Sequence, residues 1–141
     1  MKVMVFVKAT KDSEEGKLPG RELIEAMGRF NEELANAGIL VTCDGLKPTS
    51  AAARVHFSGK ERTVSKGPFK DGEGTVAGFW IWEVTSMEEA IAWVKRCPNP
   101  MLGDSDIDIR PFYELSDFGD LATPEMIEQE EQIRKKTAGK R

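Results

Sequence analysis

Residues 78–84, GFWIWEV, narrow what this chain can fold into more than any other run. A strand turns alternate side chains to opposite faces, so Phe79 and Ile81 point one way and Trp80 and Trp82 the other. Both sets are large and apolar, which suits a strand inside a sheet with cover on both sides. The N-terminal run KVMVFVK has the same character, with Val3, Val5 and Val7 opposed to Met4 and Phe6. Two doubly apolar strands predict the two central positions of one sheet.

The intervening segments supply its edges and its helices. After the polar loop DSEEGKLPG, apolar residues at Leu23, Met27, Phe30, Leu34 and Ala37 recur at helical spacing, and Gly38 provides a left-handed cap. ILVTCDGLKP reads as a second strand, with Ile39, Val41 and Cys43 on one face and Leu40, Thr42 and Asp44 on the other. AARVHFSGKERTVSK alternates around Gly59 as a hairpin. A capping box of Ser86 with Glu89 announces a helix over TSMEEAIAWVKRCP, and residues 107–112, IDIRPF, form the last strand.

This order predicts an α+β fold, the ferredoxin-like βαββαβ, with an antiparallel sheet, an extra β-hairpin and a C-terminal helix. The domain is expected over residues 1–113. Residues 114–141 form a tail whose short helix is capped by Thr123, begins at Pro124 and ends in basic residues. Two helices cover one face of such a sheet, so either the tryptophan pair or Phe79 and Ile81 needs further cover. A second copy related by a twofold axis supplies it and predicts a homodimer. The alternative is the chain's own tail folded back over the open face.

Composition excludes several function classes. With 24 acidic and 20 basic residues well mixed, for a net charge of -4, no broad cationic field exists and nucleic acid is not an expected partner. The first apolar run is too short for a signal peptide or a bilayer span, so no membrane partner is expected and the location is read as cytoplasmic. There Cys43 and Cys97 are expected to be reduced thiols. One His and no C-x-x-C leave no metal site, and Gly67, Gly72 and Gly74 do not form a phosphate loop, so no cofactor is expected.

The residues that remain are few. Histidine is the side-chain type suited to proton transfer at physiological pH, and His56 shares a predicted hairpin face with Arg54; it is either a general acid-base group or a surface histidine. Asp44 closes the second strand before Gly45, where it either acts as a base facing the space between two sheets or begins a turn. Lys66, Gly67, Pro68 and Phe69 make a compact turn that either lines a cleft or connects strands. Trp80 belongs to the core or an interface.

The pieces AGILVTCDGLKP, SKGPFKD and GFWIWEVTSMEEAIAWVKRCP, taken together, resemble the YCII-related, DGPF-domain family. That resemblance implies a dimeric α/β barrel with a cleft between sheets. It also implies, for a few relatives, chemistry on ring-containing small molecules with a His and Asp pair. Asp44 falls where the family often places a carboxylate; Lys66 replaces the family's Asp before Gly67, and no His stands near Met27. The expected function is small-molecule binding in a cleft of Asp44, Arg54, His56, Lys66, Phe69 and Trp80, with acid-base catalysis on a ring-containing or anionic substrate if the protein is an enzyme. The alternative is a non-catalytic regulatory or accessory dimeric module, linked to transcription regulation.

Overall fold

A computed structural model describes residues 1–140. The chain divides into two compact units, one ending at Arg110 and the other beginning at Pro111. The first is a mixed α+β unit with β1 (Lys2–Lys8), α1 (Lys11–Glu14), α2 (Arg21–Asn36), β2 (Leu40–Gly45), β3 (Ala53–Ser58), β4 (Glu61–Lys66), β5 (Val76–Glu83), α3 (Met87–Arg96) and β6 (Ile107–Pro111). The second unit carries a 3-10 segment at Leu115–Leu121 and α4 (Pro124–Thr137), whose first turn is capped by the Thr123 hydroxyl.

Four strands form an open sheet in the order β2-β5-β1-β6, so both doubly apolar strands are central. β5 pairs antiparallel with β1 and with β2, which places Trp80 opposite Val5 and Cys43, and Trp82 opposite Val3 and Leu40. On this face Val3, Val5, Val7, Trp80 and Trp82 are buried, packed with Phe30 and Leu34 of α2 and Ala90 of α3. Phe30 is the hub of the layer. Its ring meets Trp80 at 6.2 Å and Trp82 and Trp93 at 6.4 Å, all edge-on, the arrangement that aligns positive ring edges with negative faces.

The tryptophans therefore draw their cover from the helices of their own chain. Met4, Phe6, Phe79 and Ile81 occupy the opposite face and are half-buried. The alternation expected for β2 is corrected by a bulge: its register to β5 shifts between Leu40 and Thr42. One inserted residue reverses the faces beyond it, so Leu40 and Cys43 both pack toward the core while Val41 is exposed.

Local sequence explains the element ends. α2 closes in a Schellman motif, with Gly38 at φ 74° donating to the Ala35 carbonyl and Ile39 donating to Leu34 at 2.9 Å. At α3 the Ser86 hydroxyl accepts from Glu89 N as expected, but the Glu89 carboxylate reaches past Ser86 to the Thr85 backbone and hydroxyl. The polar loop before α2 contains one helical turn, α1, because Thr10 and Ser13 form a reciprocal cap. β3 and β4 pair only with each other and are exposed throughout.

Candidate functional site

Two sets of residues on α2 have different jobs. Phe30 and Leu34 are buried in the core, whereas Leu23, Ile24, Met27, Gly28 and Asn31, one stripe at helical spacing, face a pocket of about 600 Å³. The far wall is the end of the sheet, from Cys43 to Gly45 on β2 and Ala77 to Trp80 on β5. Leu18, Pro19, Pro100 and Met101 form the mouth, and Leu18 is 86% exposed there.

Gly28 is informative because a glycine inside a helix costs roughly 0.5–1 kcal/mol relative to alanine. A Cβ placed on it would meet no atom within 4 Å, so packing does not require the glycine. The missing side chain widens the pocket. Asn31 provides the main polar feature: its Oδ1 accepts a 2.7 Å hydrogen bond from the Trp80 indole. This orients the ring and turns the amide NH2 group into the available donor end of the side chain.

Of the residues singled out in the sequence, Asp44 and Trp80 line this pocket, and Arg54, His56, Lys66, Gly67, Pro68 and Phe69 do not. Asp44 sits at the rim. It pairs with Phe79, so strand alternation turns its side chain to the face of Phe79 rather than that of Trp80. His56 lies on the exposed hairpin opposite Thr63, and Lys66 ends that hairpin opposite Ala53. Arg54 holds Asp71 at 3.1 Å and stacks 4.0 Å above the Phe69 ring.

The Gly67–Phe69 turn serves a clamp centred on the buried Thr49. Thr49 donates through its hydroxyl to Glu14 Oε2 at 2.5 Å and through its backbone N–H to Oε1 at 3.0 Å, while its hydroxyl accepts from Phe69 N at 3.0 Å. The end of α1, the turn at Thr49 and the Gly67–Phe69 turn are joined at one threonine. Gly67 precedes a cis peptide to Pro68 and passes so close that a Cβ would lie 1.6 Å from the Thr49 carbonyl oxygen.

Among the described lining residues the ionisable side chains are Cys43 and Asp44. Beside the mouth, the hydrogen bond and charge of Asp12, and secondarily those of Glu15, raise the Lys17 pKa above its ordinary value. Burial alone pushes the Cys97 thiol up to about 11, so it stays protonated and poorly nucleophilic near neutral pH. Among the described residues no three His, Cys, Asp or Glu side chains cluster as a metal site, and no helix is long and apolar enough to cross a membrane.

The family described as the YCII-related domain matches residues 1–113. An uncharacterized protein of Rhizobium meliloti is 28% identical over 105 residues, which cover 74% of this chain and 82% of that protein.

Proposed function

Since the chain belongs to the YCII-related domain family, we propose that it is a small-molecule-binding protein whose ligand occupies the pocket between α2 and the ends of β2 and β5. One observation carries this reading: a concave space of about 600 Å³ with mostly apolar walls and a few polar groups, the usual form of a ligand site. Gly28 supports it, because the helix forgoes stability where a side chain would enter that space. Binding is favoured over acid-base catalysis, since His56 is on the hairpin and does not join Asp44 at the pocket wall.

Gly28→Leu tests the reading. The new side chain is expected to fill the pocket and weaken binding of the neutral dye Nile red at least about tenfold, while a better helix former keeps the fold intact. Gly28→Ala, which adds one methyl group, serves as the control for helix stability. Unchanged dye affinity in a folded Gly28→Leu protein would remove the pocket from the function.

The ferredoxin-like arrangement and a twofold dimer complete the proposal. Their support is the strand order and the half-buried Met4, Phe6, Phe79 and Ile81 on the face away from α2 and α3. Apolar area of this kind gains roughly 25 cal/mol per Å² when a second copy removes it from water. Light scattering at micromolar concentration is expected to return twice the chain mass of 15.7 kDa, and Phe6→Glu to return the single mass. A wild-type mass of 15.7 kDa would refute the dimer.

A further inference from the structure

We propose that the α2 pocket selects neutral and singly cationic apolar molecules and discriminates against carboxylates and other anions. This rests on the reading of the pocket as a binding site and specifies the ligand class it takes. The expectation of an anionic ligand drew on Arg54 and Lys66, and neither lines the pocket.

The one charged side chain among its described lining residues, Asp44, has the opposite sign. Among the described residues no Lys, Arg or His lines it, and Asp44 is the only Asp or Glu that does. The adjoining depression at the mouth carries Asp12 and Lys17, but the Lys17 ammonium lies 2.8 Å from Asp12 and 3.5 Å from Glu15. One cation is thus held by two carboxylates, and its field outside the cluster is more than cancelled. An anion entering from this side approaches net negative charge and then gives up water against an apolar wall.

The wall itself suits a soft, apolar or weakly cationic guest. Met27 and Met101 contribute polarisable thioethers, and Trp80 contributes aromatic surface. The Asn31 amide is a neutral donor: it can hydrogen-bond a hydroxyl or carbonyl oxygen without offering the full positive charge that a carboxylate needs for compensation. Asp44, aimed along the Phe79 face, acts through its field at the rim rather than by direct contact deep inside.

Three probes of one shape separate the possibilities: naphthylmethylamine, naphthylmethanol and naphthoate, titrated near neutral pH with tryptophan fluorescence and thermal shift as readouts. The amine and the alcohol are expected to bind, and naphthoate to bind at least about tenfold more weakly than the amine, the size of effect that unit charges several Å apart produce at intermediate dielectric. Asp44→Asn is expected to narrow the amine-to-carboxylate ratio about fivefold. Equal binding of naphthoate and the amine by the wild-type protein overturns the selectivity while the pocket reading stands. An unaltered ratio in Asp44→Asn overturns the part assigned to Asp44. If none of the three probes and no Nile red binds, the pocket is not a ligand site and the selectivity falls with it.

Discussion

Gly67→Ala is expected to lower the melting temperature by about 10 °C or more, measured by circular dichroism. The added Cβ would sit 1.6 Å from the Thr49 carbonyl oxygen and 2.6 Å from its carbonyl carbon, so backbone must move. Thr49 cannot move alone, because it also holds the Glu14 carboxylate and the Phe69 N–H. Ordinary overpacking costs roughly 1–3 kcal/mol, and here relief also disturbs a partly buried hydrogen-bond cluster, so about 3–4 kcal/mol is expected. At this chain length each kcal/mol corresponds to roughly 3–4 °C. A shift below about 2 °C would show that the Gly67 and Thr49 segments are not locked together.

Trp82→Ala is expected to cost about 3–5 kcal/mol in urea denaturation, the range for deleting a large aromatic from a core. Trp82 is fully buried, opposite Val3 and Leu40, and touches the Phe30 ring. Trp82→Phe should cost less than half of that, because the indole Nε1 has no hydrogen-bond partner to lose. Trp80→Phe differs in kind: it leaves Asn31 without its 2.7 Å partner and disturbs the pocket wall as well as the core. A loss below about 1.5 kcal/mol for Trp82→Ala would mean that the layer between α2 and the sheet collapses to fill the space.

The two tryptophans also show how far residue pattern reaches. Alternation along FWIWEV was enough to make β5 central, but not to say which of its faces meets the helices. That choice depends on Phe30, which meets the side bearing Trp80 and Trp82. β2 shows the opposite case. Strict alternation put Val41 and Cys43 on one face, and the bulge between Leu40 and Thr42 separated them, because a bulge is set by pairing with β5 and leaves no mark in β2 itself.

The candidate site was harder to read. Asp44 and Trp80 stand out by chemistry, but the pocket's shape depends as much on Gly28 and Asn31, which carry no catalytic signature. A signal was present: a glycine interrupts an otherwise sound helical pattern, with Asn31 on the same stripe. The turn at Gly67 looked equally suited to a cleft or a connection, and its contact is with Thr49, 18 positions earlier in the chain.

The amino-acid order alone determined the strands and the three longer helices, the two central strands, the caps at Gly38, Ser86 and Thr123 and the family, because each depends on neighbours within a few residues or on alternation along one segment. The tertiary structure decided which face is core, where β2 bulges, which loops Thr49 ties together and where the pocket opens. Those outcomes depend on pairings between residues far apart in the chain, and a periodic pattern carries no information about which distant surface will pack against it.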